Sequence, residues 1–450
     1  MTPDSRPRVR AIALGSLRAG LPTDADISGD ASTPISGLEL DSRLVQRGDA
    51  FAALAGHRQH GVVHIAEALQ RGAVAVITDR EGWQLWQGMV EFDERIPVLV
   101  LASVRPWLGA MAATLHGAPA LSLHLLGITG TNGKTTVASM IEEGLRAAGR
   151  TTGFIGTTGI HIGERAVESA RTTPEATTLQ ALFALMVEQG VTDAVMEVSS
   201  HAMSESRVGG FVFDVVGFTN LSQDHLDYHG TMEEYFDAKA QLFSGDHARA
   251  AVVCVDDVWG QRLAARASIP VTTVAAAGGP ADWTWEQAPG GAWTAVGPAG
   301  ERLAVSLSLP GAFNRANALV AMAMLRAVGV SGDAIAQALA RVRVPGRLES
   351  VSGADALGLE ALVDYAHTPD AIARVIAAVR EFTPGRVIVV VGAGGDRDAG
   401  KRPLMGAMAA RLADVVIITD DNPRSEEPAS IRAAVLEGAR AVLAAADTLA

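Results

Sequence analysis

A glycine-rich segment at residues 127–136 constrains the fold of this chain more than any other feature. It reads Gly-Ile-Thr-Gly-Thr-Asn-Gly-Lys-Thr-Thr, follows an apolar run at residues 121–126 and precedes a helix-like stretch at residues 137–148. A strand, a glycine-rich turn and a helix form the context of a phosphate-binding loop, whose backbone N–H groups converge on phosphate oxygens. In such a loop Lys134 reaches the β- and γ-phosphates of a nucleotide, and the hydroxyl of Thr135 binds Mg²⁺. The sequence therefore predicts a nucleotide site at this turn.

Length, charge and cysteine content exclude several classes of protein. At 450 residues the chain is too long for one ordinary core, and its length predicts about three domains. Its formal net charge of -13 argues against general affinity for nucleic acid. We find no run of about 18 apolar residues and no basic-then-apolar signal at the N-terminus, so we expect no membrane insertion and a cytoplasmic location. The single cysteine, Cys254, fits a reducing compartment.

Lysine is rare in this chain, and its positions are informative. Of 37 lysine and arginine residues only three are lysines, namely Lys134, Lys239 and Lys401. Lysine carries a compact charge on an amine that can become a nucleophile, whereas arginine is a planar fork that stays protonated. A chain this rich in arginine is expected to keep lysine where a guanidinium cannot act. Each lysine is therefore a candidate functional residue, with chance placement as the alternative for any one of them.

Apolar runs punctuated by glycine and proline predict an α/β fold with three domains. Their predicted bounds are residues 1–117, 118–343 and 344–450. Residues 283–309 alternate between apolar and polar, which predicts a small antiparallel appendage on the second domain. Three strand–loop–helix units in the third domain place polar loops at the carboxyl ends of strands, where ligands collect in open α/β sheets. Its apolar runs at residues 387–391 and 415–419 are expected to be parallel strands buried on both faces.

Two further places carry potential metal ligands. Glu197 lies near the end of an apolar strand at residues 194–198, where a carboxylate can hold Mg²⁺ opposite a phosphate loop. The loop at residues 220–230 holds two histidines and two aspartates within six residues. That spacing matches no structural zinc site, and no cysteine accompanies it. A hydrated Mg²⁺ shared with a nucleotide fits this loop better than zinc.

Together these features predict an ATP-driven enzyme that joins two substrates across a cleft between domains. A guanine-nucleotide switch is disfavoured, because none of the three lysines lies in an Asn/Thr-Lys-x-Asp segment. A nucleotide-gated binding or regulatory protein is the alternative from another class. Such a switch does not need three domains that each present polar loops suited to bind a ligand.

Six motifs follow one another along the chain. They are Gly-Thr-Asn-Gly-Lys-Thr-Thr, Glu-Val-Ser-Ser-His, Asn-Leu-Ser-Gln-Asp-His-Leu-Asp-Tyr-His-Gly, Asp-Tyr-Ala-His-Thr-Pro-Asp, Gly-Gly-Asp-Arg-Asp-x-Gly-Lys-Arg-Pro and Asp-Asn-Pro-Arg. With these motifs the chain resembles the Mur ligase family of peptidoglycan synthesis, from Asp41 to Arg424. The resemblance implies a first domain for a uridine nucleotide, a central P-loop ATPase-like parallel sheet and a Rossmann-like C-terminal domain.

The resemblance also implies an activity. Within the family the chain is similar to the ligases that extend a UDP-N-acetylmuramoyl dipeptide. They join meso-diaminopimelate to UDP-N-acetylmuramoyl-L-alanyl-D-glutamate through an acyl phosphate, a step in cell wall biogenesis linked to cell shape, cell division and the cell cycle. ATP is the expected co-substrate, Mg²⁺ the expected cofactor, and a monomer the expected state. An L-lysine-adding homologue and a nucleotide-binding regulatory protein without ligase activity are the alternatives.

Roles follow from the resemblance position by position. The residues matched to the UDP substrate are Leu40, Ser42, His57, Arg58, Gln59, Thr172, Thr173, Ser199, Glu205 and Arg207. The residues matched to ATP are Gly130, Thr131, Asn132, Gly133, Lys134, Thr135, Thr136, Asn317, Arg347 and Asp364. The residues matched to catalysis are Lys134, Glu197, His225 and Lys239. The implied metal ligands are Thr135, Glu197, His225 and Lys239 as a carbamate. Glu205 is a departure, because related enzymes often have glutamine there.

The incoming amino acid is expected in the third domain. The residues matched to diaminopimelate are Arg397, Asp421, Asn422, Pro423 and Arg424. An arginine at position 424 points to meso-diaminopimelate, whose distal carboxylate a guanidinium can bind in bidentate fashion and which lysine lacks. Related ligases carry a further Gly-Lys-Gly-His-Glu loop, and we find none here. We therefore expect either a truncated form or an incomplete amino-acid site.

Overall fold

The computed structural model describes residues 6–56, 59–167, 171–287, 293–354, 356 and 358–447. Two compact units make up this part of the chain. The first contains the described residues up to Gly127 together with Gly149–Val215 and Gln241–Arg249. The second contains Ile128–Ala148, Val216–Ala240 and the described residues from Ala250 onward. The three predicted domain ranges stay a prediction.

A five-stranded sheet forms the N-terminal part of the first unit. Its strands, in spatial order, are β2 (Asp26–Ser28), β7 (Val98–Leu101), β6 (Ala75–Asp79), β5 (Asp49–Ala53) and β4 (Gly37–Glu39). The helices of this part are α1 (Ile65–Gln70), α2 (Arg80–Gln87) and α3 (Leu108–Leu115), and a small ladder joins β1 (Ile12–Ala13) to β3 (Pro34–Ile35). Successive side chains of a strand point to opposite faces. Accordingly Ala50 and Ala52 join one apolar core, whereas Phe51 and Ala53 join another.

The largest sheet is mixed rather than parallel, which corrects the prediction. Its strands, in spatial order, are β11 (Arg165–Val167), β10 (Gly159–Ile162), β9 (Thr152–Gly156), β12 (Asp193–Glu197), β8 (His124–Thr129), β13 (Phe213–Phe218), β14 (Ala248–Cys254), β15 (Val271–Ala275), β16 (Trp283–Gln287), β17 (Trp293–Val296) and β18 (Arg302–Val305). Parallel pairing joins β9 to β12 and β14 through β16. Antiparallel strands occupy both ends of the order because short turns connect them, and a tight turn can join only antiparallel neighbours. The predicted appendage is the β16–β18 meander.

Eight helices accompany these strands among the described residues. They are α4 (Lys134–Ala147), α5 (Ala176–Glu188), α6 (Ser200–Ser204), α7 (Leu226–His229), α8 (Met232–Ala240), α9 (Val258–Arg266), α10 (Ala312–Ala327) and α11 (Gly332–Arg341). The alternation of strands and helices confirms the α/β class. No helix in the described part of the chain is long and apolar enough to cross a membrane.

The C-terminal part of the second unit differs from the predicted three-strand arrangement. Its elements are β19 (Glu349–Ser350), β20 (Leu362–Val363), α12 (Pro369–Phe382), β21 (Ile388–Val391), α13 (Lys401–Leu412), β22 (Val415–Ile418) and α14 (Pro428–Asp447). β21 and β22 pair in parallel, but β20 pairs with β19 in a separate antiparallel ladder. The prediction that both parallel strands are buried on both faces was also wrong. Val390 is 62% exposed and Ile417 is 48% exposed, since the described helices cover only the opposite face, where Met405 and Val435 lie.

Candidate active site

The predicted phosphate loop lies between β8 and α4, and two of its glycines are sterically required. Gly130 has φ +145° and Gly133 has φ +92°, backbone conformations that favour glycine. A Cβ atom at position 130 would lie 2.0 Å from Oγ1 of Thr219. A Cβ atom at position 133 would lie 2.3 Å from Oδ1 of Asn317. The loop therefore holds its shape against these two side chains, and Asn317, predicted to approach adenine, lies buried against Gly133.

A loop that follows β13 supports the phosphate loop from the side. Thr219 donates from Oγ1 to the carbonyl oxygen of Asn132 over 2.6 Å, and the same oxygen accepts from Nδ2 of Asn220 at 3.0 Å. The backbone N–H of Asn132 donates in return to Oδ1 of Asn220 at 3.1 Å. Ser222 donates its N–H to Oγ1 of Thr131 at 3.0 Å. These three supporting residues had not been predicted as site residues, because nothing in the sequence says that they contact a loop almost 90 positions earlier.

Two of the three lysines converge on the phosphate loop. Lys134 donates from Nζ to the carbonyl oxygens of Gly130 and Thr131, at 3.0 and 2.9 Å. Lys239 donates from Nζ to the carbonyl oxygen of Gly130 at 2.9 Å. Lys134 is placed by the first turn of α4, and Lys239 by the last turn of α8. The rarity of lysine thus pointed to two residues that share one acceptor.

The amine of Lys239 lies in a dry environment. The residue is 2% exposed, and its Nζ lies 4.6 Å from the centre of the Tyr235 ring. Burial, followed by the charge of Lys134, places the pKa of Lys239 well below its ordinary value, while Asp224 acts in the opposite direction. A lowered pKa increases the neutral fraction of the amine, and only the neutral amine is a nucleophile. The environment therefore suits Lys239 for covalent modification.

Asp224 is the centre of a charged cluster that the sequence did not single out. It is 5% exposed. Nε2 of His225 lies 3.5 Å from its carboxylate, and Nε2 of His367 and Nζ of Lys401 each lie 3.7 Å away. Burial alone would raise the pKa of Asp224, but the hydrogen bond from His367 and the charges of His225 and Lys401 lower it overall. Asp224 is therefore an anion that joins the predicted metal-ligand loop to two of the predicted C-terminal loops.

Arg347 contacts the phosphate loop, and Asp364 binds the chain next to Arg347. Nη2 of Arg347 donates to Oγ1 of Thr135 at 3.3 Å, and its guanidinium lies 4.8 Å from the centre of the Tyr365 ring. The carboxylate of Asp364 accepts the backbone N–H groups of Leu348 and Ala366 at 3.0 and 2.9 Å. Burial raises the pKa of Asp364, and these hydrogen bonds lower it in part. Arg347 thus reaches the hydroxyl predicted to bind Mg²⁺, whereas Asp364 shapes the segment that carries Arg347.

Most of the residues matched to the UDP substrate form two groups in the first unit. In the N-terminal group Ser42 donates to Oε2 of Glu67 at 2.7 Å, Leu40 is half-buried, and Gln59 lies 3.2 Å from His64. His57 and Arg58 lie outside the described residues.

The second group surrounds Thr173. Its Oγ1 donates to the backbone oxygen of Glu197 at 2.9 Å and to Oγ of Ser199 at 3.3 Å, and its own carbonyl accepts from Nη1 of Arg207 at 3.0 Å. Glu205 accepts from Nε and Nη2 of Arg207 at 3.0 and 2.5 Å. Glu205, where related enzymes often have glutamine, thus pairs its carboxylate with Arg207, which is expected to contact the anionic UDP substrate.

Glu197 and Thr172, two further predicted residues, both contact Thr157. The carboxylate of Glu197 is fully buried, and it accepts the N–H and the hydroxyl of Thr157 at 2.8 and 3.1 Å. Oγ1 of Thr172 lies 3.1 Å from Oγ1 of Thr157. The role of Glu197 as a metal ligand stays a prediction. Among the described residues, no group of three or more His, Cys, Asp or Glu side chains is arranged to hold a metal ion.

The residues matched to diaminopimelate lie in two adjacent loops. Arg424 donates from Nη1 to the carbonyl oxygen of Gly395 at 2.5 Å, and the N–H of Gly395 donates to the carbonyl oxygen of Asn422 at 2.9 Å. The carbonyl oxygen of Pro423 approaches Gly395 so closely that a Cβ there would lie 1.8 Å away. Arg397 and Asp421 are exposed beside this contact. The fold thereby brings Gly395 and Arg397 next to residues 421–424, which lie at least 24 positions later in the sequence.

Comparison with known proteins assigns the whole arrangement to one family. Residues 34–114 match the Mur ligase family catalytic domain, residues 128–325 the Mur ligase middle domain, and residues 346–449 the Mur ligase glutamate ligase domain. The matches run through the first unit's N-terminal sheet, the phosphate loop and the paired C-terminal loops.

Similar proteins agree with these matches. The chain is 46% identical over 441 residues to the UDP-N-acetylmuramoyl-L-alanyl-D-glutamate--2,6-diaminopimelate ligase of Streptomyces coelicolor, covering 97% of this chain and 85% of that protein. It is 49% identical over 416 residues to the ligase of the same name from Corynebacterium glutamicum, covering 90% and 79%. A solved structure of a ligase of that name is similar with a TM-score of 0.70 and 30% identity, covering 95% of this chain and 86% of that one. On these matches, the chain belongs to the Mur ligase family.

Proposed function

We propose that this chain is the ATP-dependent ligase that adds meso-diaminopimelate to UDP-N-acetylmuramoyl-L-alanyl-D-glutamate. The reaction belongs to peptidoglycan synthesis, and we place it in the cytoplasm. Two relatives at 46% and 49% identity carry the name of this activity. The observation that carries the proposal is the convergence of Lys134 and Lys239 on one phosphate loop, with Asp224 close enough to Lys239 to act on its pKa. A regulatory nucleotide-binding protein has no evident need for a buried amine beside its phosphate loop.

The phosphate loop is the proposed site of acyl activation. A carboxylate oxygen of the D-glutamyl residue attacks the γ-phosphorus of ATP, the bond to the β-phosphate oxygen breaks, and ADP leaves. The backbone N–H groups at the start of α4 and the amine of Lys134 stabilise the charge that develops on the transferred phosphoryl group. Lys134 already points into the loop, since it donates to the carbonyls of Gly130 and Thr131. ATP would replace those two carbonyls as the partner of the amine.

The second step joins the amino acid. An amine nitrogen of meso-diaminopimelate attacks the acyl phosphate carbon, the carbon–oxygen bond to phosphate breaks, and the amine loses a proton. The products are an amide and inorganic phosphate. The protein acts mainly by positioning the two reactants and by excluding water from the acyl phosphate. Lys401 and His367 bring two loops of the C-terminal part to Asp224, in the loop that follows β13.

Mg²⁺ is the proposed cofactor, and the donors around the phosphate loop fit it. Mg²⁺ prefers oxygen ligands and keeps several waters, so one or two protein ligands and the phosphates suffice. The hydroxyl of Thr135 would hold one Mg²⁺ beside the nucleotide phosphates, and His225 with a carbamate on Lys239 would hold a second, and both ions would neutralise phosphate charge. The role of Glu197 as a metal ligand stays part of the proposal that the sequence makes.

Lys239 is the proposed site of carbamylation. A neutral amine adds to CO₂, forming a nitrogen–carbon bond and releasing one proton, and the product is an anionic carbamate. The low exposure of Lys239 and its lowered pKa favour the neutral amine that this reaction requires. Arginine could not take its place, since a guanidinium remains protonated. The proposal therefore also accounts for a lysine at this position in an arginine-rich chain.

Mass analysis of the products tests the proposed function directly. We expect an amide product from ATP, UDP-N-acetylmuramoyl-L-alanyl-D-glutamate and meso-diaminopimelate, with one phosphate released per amide. L-Lysine in place of diaminopimelate should give little product, because it has no distal carboxylate for Arg424. Equal or better activity with L-lysine would support the lysine-adding alternative. Absence of amide with every amino acid would support a regulatory protein. We also expect a monomer, which sedimentation of the same sample measures.

A further inference from the structure

The two loops that carry the diaminopimelate residues are joined along their length. We call residues 392–400, after β21, the first loop, and residues 419–427, after β22, the second loop. Beyond the two bonds of Gly395 described above, Ser425 donates its N–H and its hydroxyl to the carboxylate of Asp396 at 3.1 and 2.7 Å. Asp396 and Arg424 both adopt left-handed backbone conformations, with φ +51° and +49°. Non-glycine residues keep such conformations only where their surroundings hold them.

One ion pair connects both loops to the first turn of α13. Arg402 is 5% exposed, and its Nη1 and Nη2 atoms lie 2.8 and 2.7 Å from the two carboxylate oxygens of Glu426. Oε1 of Glu426 also accepts the backbone N–H of Asp396 at 2.6 Å. Nη2 of Arg402 also donates to the carbonyl oxygen of Gly394 at 3.3 Å. Arg402 and Glu426 therefore each bind the backbone of the first loop. Glu426 itself belongs to the second loop, so the pair connects the two.

The charges of this pair persist under the conditions of an assay. The hydrogen bonds from Arg402 are the main reason that the pKa of Glu426 falls to about 2, and Glu426 in turn raises the pKa of Arg402. Bidentate pairing between a guanidinium and a carboxylate fixes geometry as well as distance. Arg424 lies two positions before Glu426, and Arg397 directly follows Asp396. The pair is thus connected through very short segments to both arginines matched to the amino acid.

We infer that Arg402 and Glu426 are positioning residues for the incoming amino acid. They act through Arg424 and Arg397, by keeping the first and second loops in one fixed register, rather than on the amino acid itself. The inference rests on the proposed function, which assigns these loops to diaminopimelate. It predicts that weakening the pair affects the amino-acid site selectively, while the phosphate loop, held by other contacts, keeps its affinity for ATP.

The test compares Glu426→Gln with a matched control, Asp414→Asn. Asp414 is also a carboxylate paired with an arginine, since Nη2 of Arg380 lies 2.7 Å away. It also accepts one backbone N–H, that of Val387, at 2.7 Å. Asp414 lies before β22, at the opposite end of the strand from the second loop. Both substitutions thus remove one charge from a carboxylate that pairs with an arginine and accepts a backbone N–H, and only one of them lies at the paired loops.

For Glu426→Gln we expect the KM for meso-diaminopimelate to rise about tenfold, consistent with partial loss of a charge-assisted pair. The KM for ATP should stay within about twofold of the wild type. Discrimination against L-lysine should fall. Arg402→Lys keeps the charge but not the fork, and it should raise the same KM by a smaller factor. Asp414→Asn should leave the KM for diaminopimelate unchanged.

An unchanged KM in Glu426→Gln, or an equal rise in Asp414→Asn, would overturn the inference. So would a uniform loss in which kcat falls and both KM values stay as they are, since that pattern describes general structural damage. Wild-type protein that forms no amide with diaminopimelate contradicts the proposed function instead. The two failures are therefore distinguishable in the same set of assays.

Discussion

Nζ of Lys239 donates a 2.9 Å hydrogen bond to the carbonyl oxygen of Gly130, the glycine that opens the tight part of the phosphate loop. The contact joins residues 109 positions apart and ties α8 to the loop. Because Lys134 donates to the same oxygen, the two amines lie close together in a buried place. Repulsion between them favours the uncharged form of the more buried one, Lys239. A pair of lysines arranged in this way can separate two roles, phosphate binding by one and covalent modification by the other.

Replacement of Lys239 tests the second of these roles. We expect Lys239→Ala to lose ligase activity by at least the roughly 10–100-fold that follows loss of an outer-shell partner of a metal site. Added acetate or formate should restore part of it, because a free carboxylate can occupy the place of the carbamate. Phosphate release measures both effects. Lys239→Arg, which keeps a cation but cannot be carbamylated, serves as the control and should stay inactive. Full activity of Lys239→Ala without added carboxylate would exclude a carbamate.

Alanine at Gly133 should damage the phosphate loop specifically. Its Cβ would overlap Oδ1 of the buried Asn317, so the loop must shift. We expect the KM for ATP to rise about tenfold or more, since loop donors must meet phosphate oxygens within a few tenths of an ångström. Titration with a fluorescent ATP analogue measures the effect. Gly149→Ala is the control, because Gly149 also has positive φ but nothing lies within 4 Å of its added Cβ. That variant should lose about 1 kcal/mol of stability and keep its ATP affinity.

Asp224 should matter for ligation more than for nucleotide binding. Asp224→Asn removes the buried anion that faces His225, His367 and Lys401 and leaves their charges without it. We expect kcat/KM for amide formation to fall about 100-fold or more, since a broken buried charge pair costs about 3–5 kcal/mol and each 1.36 kcal/mol is a factor of ten. ATP affinity should change by less than about threefold, because the loop amide groups are untouched. Asp227→Asn, an exposed neighbour in the same loop, is the control and should behave as the wild type. Equal losses in both variants would contradict a special role for Asp224.

His116 should make the stability of the protein sensitive to acid. Burial, and then the charge of Arg6, lowers the pKa of His116 to about 4, and its Nδ1 has no hydrogen-bond partner among the described residues. The unfolded chain binds a proton near pH 6.5 and the folded chain does not, so stability falls as the pH drops from about 6.5 to about 4. The loss over this window should reach about 3 kcal/mol. Urea unfolding at several pH values measures it. His116→Gln should flatten the dependence, and an unchanged slope would contradict the assignment.

Local patterns in the sequence correctly predicted the strand, the glycine-rich turn and the helix around Lys134, whereas phosphate binding by this turn stays a prediction. The glycines and Lys134 lie within a few positions of one another, and a strand and a helix flank them, so no distant contact is needed to recognise them. The three retained lysines were equally informative. Lys134 and Lys239 meet at Gly130, and Lys401 lies in the cluster around Asp224. Lysine content drew attention to these three positions because its chemistry differs from that of arginine, and the functional roles of the three lysines stay predictions.

The parts that the sequence did not predict depend on contacts between distant segments. Asp224 looked like one of several ligands in a polar loop, and only folding brings His367 and Lys401 to it. The apolar run at β22 was read as buried on both faces, yet burial depends on what covers a strand, and alternate residues such as Ile417 are half exposed. Periodicity reports which residues are apolar and not which neighbour will cover them. The individual roles of the site residues, including Glu197 and Arg397, stay predictions.

The contact between Gly395 and the carbonyl oxygen of Pro423 has a consequence for the evolution of selectivity. A single methyl group at position 395 would overlap a backbone atom that cannot rotate away. We therefore expect any side chain at position 395 to push the two loops apart, whatever that side chain could offer a ligand. Exposed positions such as Arg397 leave room for other side chains without separating the loops. Gly395 thus restricts which substitutions in the paired loops could change the specificity of the proposed amino-acid site.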